Sequence, residues 1–206
     1  GDETVVCYHR DSGDQVWAHV DGTKFDEAMG GVGPRATPTI AGDEVYALGA
    51  NGTLNCLKRA TGEVVWSTDM ADDTGARIPQ WGFSSSPLVH DDLVVVYAGA
   101  ADAGMVAYDR RSGRTVWTCK AGTHGYSSPH LARLGDTELV LMMSNAGLAA
   151  VEPADGALVW EYAWPIKDGA RIVQPTILPG GEILVGTSYG NGTHCVAPAR
   201  SGDGWR

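Results

Sequence analysis

An eleven-residue unit ending in tryptophan constrains this chain more than any other feature. It reads CYHRDSGDQVW from Cys7 to Trp17, CLKRATGEVVW from Cys56 to Trp66, AYDRRSGRTVW from Ala107 to Trp117 and AVEPADGALVW from Ala150 to Trp160. Its first position is Ala or Cys, its seventh Gly and its eleventh Trp in all four copies. An altered fifth copy, CVAPARSGDGW, runs from Cys195 to Trp205, with Ser201 at position seven and Gly202 at position eight. The five tryptophans are spaced by 49, 51, 43 and 45 residues.

Each unit reads as strand, tight turn, strand. Gly13, Gly62, Gly113 and Gly156 supply the positive φ that the turn needs. Ser12, Thr61, Ser112 and Asp155 precede them and can hydrogen-bond the turn backbone. The EVVW-type segment that follows alternates as a strand should. An indole closing such a hairpin can lie across a neighbouring sheet, and a small residue at position one leaves it room. Burying it removes ~150–250 Å², worth about several kcal/mol by area.

The text upstream of each unit fits two further strands. In the second repeat these are Thr37 to Ile40 and Glu44 to Ala50, with Asn51-Gly52 as a two-residue hairpin. Thr53 to Arg59 and Glu63 to Thr68 complete a four-stranded antiparallel sheet. The lead-in recurs as TPT at Thr37, SSP at Ser85, SSP at Ser127 and QPT at Gln174, at steps of 48, 42 and 47 residues. Two periodicities in the forties, running in phase, indicate a repeat array such as a β-propeller. The expected fold is therefore all-β, a propeller of four-stranded antiparallel blades. About four and a half blades are present, at roughly 1–20, 37–70, 85–119, 127–163 and 173–206 of a single domain.

Composition removes several function classes. The 206 residues carry a formal charge of −10 with no basic run, which repels a nucleic-acid partner. No run approaches the ~18 apolar residues of a membrane span. Cys7, Cys56 and Cys195 share position one of the unit, where a small buried apolar role is expected. Blades stack ~10 Å apart, whereas a disulfide needs Cα atoms within about 7 Å. Cys119 has no evident partner. His9, His19, His90, His124, His130 and His194 form no H-x-x-x-H pair, so no metal site is assigned. Ser84, Ser85, Ser86, Ser127 and Ser128 lack a nucleophile elbow and read as lead-in residues. No catalytic residue is assigned. Asn51-Gly52-Thr53 and Asn191-Gly192-Thr193 match a glycosylation pattern but read as hairpin turns.

The units resemble the tryptophan-docking motif of the PQQ-like, quinoprotein-type β-propeller repeat of bacteria. Flanking text such as GGVGPRATPTIAGDEVYALGANGTLNCL and WGFSSSPLVHDDLVVV extends the resemblance over essentially the whole chain. The repeat is also similar to that of the propeller lipoproteins of outer-membrane assembly. The resemblance implies six to eight blades in a ring, so the chain reads as an open arc or a fragment of a longer one. A closed five-bladed ring is the alternative. An arc leaves sheet edges open to self-association.

Two function classes follow from the resemblance. One is a non-catalytic scaffold that binds a protein partner or small ligand on a propeller face and needs no cofactor. The other is a dehydrogenase using PQQ with calcium, part of its site lying outside this segment. There the cofactor accepts the hydride and calcium requires several convergent oxygens. Asp69, Asp72, Asp73 and Asp102 are available, but no pattern groups them. The vicinal cysteine pair of many PQQ alcohol dehydrogenases is absent from this sequence. A third reading is a carbohydrate module stacking sugars on Trp81 and Tyr126. The family implies export, often to the periplasm, although unpaired cysteines argue mildly against an oxidising compartment.

In such a fold the long connections from an outer strand to the next inner strand gather on one face. Here they run from about Asp21 to Ala36, Met70 to Ser84, Lys120 to Tyr126 and Trp164 to Val173. They carry the candidate ligand-binding residues Arg35, Arg77, Trp81, His124, Tyr126, Arg171 and Gln174, with Phe83 beside them. Aromatic and guanidinium groups there can grip a planar or anionic ligand. The competing reading is loop packing and blade-to-blade hydrogen bonding.

Overall fold

Short apolar strands separated by glycine turns pair with their sequence neighbours and build a series of antiparallel sheets. The computed structural model describes residues 2–166, 170–187, 190–202 and 204–205. β1 (Thr4–Tyr8) and β2 (Gln15–Val20) form a two-stranded sheet, and β3 (Asp26–Glu27) and β4 (Gly31–Val32) a small hairpin in the connection after it. The first four-stranded sheet holds β5 (Thr39–Ala41), β6 (Glu44–Leu48), β7 (Thr53–Lys58) and β8 (Val64–Asp69). A one-turn helix, α1 (Met70–Thr74), follows it. The second holds β9 (Leu88–His90), β10 (Leu93–Tyr97), β11 (Met105–Asp109) and β12 (Thr115–Cys119). The third holds β13 (His130–Leu134), β14 (Thr137–Ser144), β15 (Gly147–Val151) and β16 (Leu158–Ala163). β17 (Thr176–Ile177), β18 (Ile183–Thr187) and β19 (Gly192–Val196) make a three-stranded sheet, and β20 (Arg200–Ser201) pairs with β21 (Gly204–Trp205) in a separate two-stranded one.

The core lies between successive sheets. Tyr46, Leu54 and Cys56 of the first four-stranded sheet pack with Val94, Val96 and Val106 of the second. The other face of the second sheet, with Val95, Tyr97 and Met105, packs on Val140 and Met142 of the third. A middle strand is thus covered on both sides. That is why β10 and β14 are nearly unbroken apolar runs rather than alternating ones.

The repeated turn has the same skeleton in four copies. The position-seven N–H donates to the position-three carbonyl, as in Gly62 to Lys58 (2.8 Å) and Gly156 to Glu152 (3.0 Å). The position-six side chain accepts the N–H two residues on at Asp14, Glu63 and Ala157. In the third copy a different bond braces the turn, Asp109 accepting both the N–H (2.8 Å) and the hydroxyl (2.6 Å) of Ser112. The strand that follows does not alternate as expected. Cys56 pairs with Trp66 but Leu57 with Val64, so Val65 is the extra residue of a β-bulge, and the same shift recurs in the other three copies. The bulge leaves Val64 and Val65 both exposed and turns Trp66 inward.

The first three indoles hydrogen-bond into the next sheet. Trp17 Nε1–H donates to Arg59 O (2.9 Å), Trp66 to Arg110 O (2.9 Å) and Trp117 to Pro153 O (3.1 Å). All three acceptors are position four of the following copy. The fifth copy departs from this pattern. Trp205 pairs with Arg200 rather than with Cys195, and Trp160 Nε1 is buried with no hydrogen-bond partner among the described residues. Cys195 is consequently exposed, unlike Cys56, which corrects the buried role expected of it; Cys7 is half-buried. The Asn51-Gly52 turn is also longer than two residues. Gly49 and Thr53 close it, with Gly52 N–H donating to Gly49 O.

The lead-in residues tie the sheets together near their inner strands. Thr37 N–H donates to Ser86 Oγ (3.0 Å), Ser86 N–H to Ser128 Oγ (2.8 Å), and Gln174 Nε2 to the Ser128 and Pro129 carbonyls. Thr39 Oγ1 adds a bond of 2.6 Å to Pro87 O.

Glu3, just before β1, ties the two-stranded β1–β2 sheet to the first four-stranded sheet. Only 3% exposed, it accepts the Ala50 N–H at 3.0 Å. Burial raises its pKa above the usual 4.5; the Ala50 N–H works against this and the nearby Asp21 carboxylate adds to it. A carboxyl whose folded pKa is raised binds its proton more tightly in the folded state. Its stabilising contribution is present below the unfolded pKa and is lost as pH rises through the folded value. Replacement of Glu3 by Gln is therefore expected to flatten the fall in stability above about pH 4.5. Urea midpoints of both proteins from pH 4.5 to 7 test this, and parallel curves overturn it.

Candidate functional site

Strand direction places the site. β10 and β12 run toward the same end of their sheet, so the β10–β11 turn and the connection leaving β12 emerge together there. The connection leaving β8 emerges at the equivalent end of the neighbouring sheet. These three segments enclose a cleft of about 380 Å³, within the range of small-ligand sites. Phe83, Ser85, Tyr97 and Ala98 are its buried lining, and Arg77, Ile78 and His124 are exposed on it.

Local chemistry fixes the rim. Asp69 caps α1 by accepting the Ala71 and Asp72 N–H groups, and Gly75 ends the helix in the left-handed conformation. Arg77 follows two residues later. On the opposite side Asn145 Oδ1 accepts the N–H of Thr123 (2.9 Å) and of His124 (3.1 Å), and the Asn145 N–H donates to His124 O (2.7 Å). The His124 ring then stands edge-on to Tyr126, centroids 5.1 Å apart, and Tyr126 in turn contacts Trp81 at 5.1 Å. Burial raises the Tyr126 pKa, partly offset by the Trp81 N–H.

The candidate residues thus separate. Arg77 and His124 line the cleft, and Trp81 and Tyr126 form an aromatic cluster joined to it through His124. Arg35 lies elsewhere, closing the β3–β4 hairpin through the Gly31 and Gly33 carbonyls, the Glu27 carboxylate and the Phe25 ring. Gln174 joins the lead-in hydrogen bonds. Arg171 is fully buried. Its guanidinium stacks 4.0 Å from the Trp164 ring and donates to Trp164 O, while Nε and Nη1 have no partner among the described residues. Burial lowers its pKa.

Residues that sequence reasoning missed are Ile78, Pro79, Tyr97 at the end of β10 and the turn after it, Ala98 to Ala101. Phase within the repeat could have found the last of these, since alternate turns share an end of the sheet.

The carboxylates considered for calcium do not converge. Asp69 is the helix cap, Asp73 accepts the Thr68 hydroxyl at 2.7 Å, and Asp102 faces Lys120 at 3.0 Å. Among the described residues no carboxylate lines the cleft, and no group of three or more metal-ligating side chains occurs. The donor set present does not match the oxygen-rich shell of calcium.

A family model described as outer membrane protein assembly factor BamB matches residues 1–206. The chain belongs to this family. The family's BamB of Yersinia pestis is 24% identical over 146 residues, covering 71% of this chain and 35% of that protein. Among solved structures, BamB from Moraxella catarrhalis superposes with a TM-score of 0.60 at 20% identity, covering 88% of this chain and 51% of that one. The quinohemoprotein alcohol dehydrogenase from Comamonas testosteroni gives a TM-score of 0.67 at 17% identity, over 89% of this chain and 37% of that one. The two structures share the propeller fold with this chain. This chain spans about half or less of the length of each of these proteins. Among the described residues, no helix is long and apolar enough to cross a membrane.

Proposed function

We propose that this BamB-family segment is a non-catalytic propeller scaffold that holds a protein partner on its loop-bearing face. The observation that carries the reading is the chemistry of the cleft there. Among the described residues its polar side chains are hydroxyls, one guanidinium and one imidazole, with no carboxylate. These groups suit recognition, and their pre-set geometry lowers the ordering cost of binding. They offer neither a carboxylate base nor a calcium shell for a quinone cofactor. The family's association with outer-membrane assembly supports an exported, periplasmic setting.

Photo-cross-linking tests the face. A benzophenone side chain at Ile78, on the rim, is expected to yield adducts with a discrete partner protein in the cell envelope. The same group at Arg111, in a turn at the other end of the sheet, is expected to yield none. The dehydrogenase reading predicts a different result. Titration with PQQ and calcium would then release heat and support dye-linked alcohol oxidation. That outcome, or equal adducts from both positions, defeats the scaffold proposal.

A further inference from the structure

We infer that the cleft between the α1–β9 connection and the β10–β11 turn receives an extended peptide segment of the partner that carries an Asp or Glu beside an apolar residue. This rests on the scaffold reading above and names the partner's chemistry. The argument is one of charge complementarity.

The chain is strongly acidic, and its cations are largely spent on their own carboxylates. Arg35 meets Glu27 at 3.2 Å, Lys58 meets Glu63 at 2.7 Å, Arg59 meets Asp43 at 3.1 Å, Arg110 meets Glu44 at 3.0 Å and Lys120 meets Asp102 at 3.0 Å. Arg77 is different. It is exposed on a concave surface, and no ion pair holds it among the described residues. A guanidinium offers its fork of donors to a carboxylate in bidentate geometry. Arg77 lines a cleft whose floor is apolar rather than standing on open surface. Phe83 (3% exposed), Ala98 (3%) and Tyr97 (4%) form the floor, and Ile78 adds an exposed aliphatic wall. On the other wall Asn145 holds His124 in place, its Oδ1 accepting the His124 N–H and its own N–H donating to His124 O.

A bound segment would place its apolar side chain on Phe83 and Ala98 and its carboxylate at Arg77. A basic segment would meet the guanidinium with like charge and lose the contact. The volume admits one such side chain with its neighbouring backbone, in keeping with recognition of a short extended stretch.

The test uses the full chain and three fluorescent peptides, acetyl-Ser-Leu-Xaa-Phe-Ser-amide with Xaa as Asp, Asn or Lys, followed by anisotropy. The Asp peptide is expected to bind at least about tenfold more tightly than the Asn peptide, with the Lys peptide weakest. Arg77→Gln is expected to abolish the Asp-over-Asn preference while leaving Asn-peptide binding within about twofold. Arg114→Gln makes the same charge change in an exposed turn at the other end of the sheet, and is expected to keep the preference. Equal binding of the three peptides, no binding of any, or equal loss in both variants overturns the acidic ligand. Cross-links from Ile78 would then still report on the scaffold reading, so the two failures are distinguishable.

Discussion

Replacing Trp66 with alanine is expected to remove about 3–5 kcal/mol of stability. The indole is only 8% exposed and packs 5.9 Å from the Tyr46 ring. Its N–H satisfies Arg110 O at 2.9 Å in the following sheet. Truncation opens a cavity between two sheets and leaves that carbonyl with one weaker partner, the Tyr46 hydroxyl at 3.4 Å. At this chain length the loss corresponds to a melting temperature lower by on the order of 10 °C. Trp205→Ala supplies the comparison. Trp205 is half-buried and pairs in a two-residue hairpin, so its truncation is expected to cost about 1 kcal/mol or less. Urea unfolding of both variants decides the matter. Equal losses would mean that the fifth indole docks as the second does, against the structure.

Much of the fold is legible because the repeated text carries a physical requirement at each position. The order strand, turn, strand, indole follows from glycine, a small polar residue and an apolar run. It locates β1–β2, β7–β8, β11–β12 and β15–β16 within a residue or two. The bulge was hidden. Val64 and Val65 suit either face of a strand equally, so letters alone do not say that the register slips between them. α1 carries its signals in the sequence, Asp69 before it and Gly75 after it. A single turn is too short for periodicity to reveal. The cleft was half visible. Position in the repeat marks the loops that carry Arg77, Phe83 and His124. It does not distinguish a free guanidinium from one already engaged, as Arg35 is with Glu27, or one that is buried, as Arg171 is under Trp164. That distinction depends on what the folded chain brings alongside, and it separates the exposed Arg77 from the rest.

Gly113→Ala is expected to cost about 3–4 kcal/mol, the sum of two separable penalties. Gly113 has φ +70°, and a β-carbon there would stand 2.6 Å from Cε3 and 2.7 Å from Cδ2 of Trp66. The left-handed backbone alone accounts for about 1–2 kcal/mol with any side chain. The remainder is collision with a rigid ring that is already packed and hydrogen-bonded. Gly13 isolates the first penalty. It occupies the same position of the first copy at φ +76°, but nothing lies within 4 Å of its β-carbon site, since no described sheet precedes it. Gly13→Ala should therefore cost only the backbone share. In a Trp66→Ala background Gly113→Ala should fall to that same value, giving a coupling of about 2 kcal/mol between two residues on adjacent sheets. Equal costs at Gly13 and Gly113, or strict additivity in the cycle, would show that the glycine serves its own turn alone. The predicted inequality instead makes the seventh position an inter-sheet contact, with glycine required in the second, third and fourth copies both by its own turn and by the indole of the sheet before it.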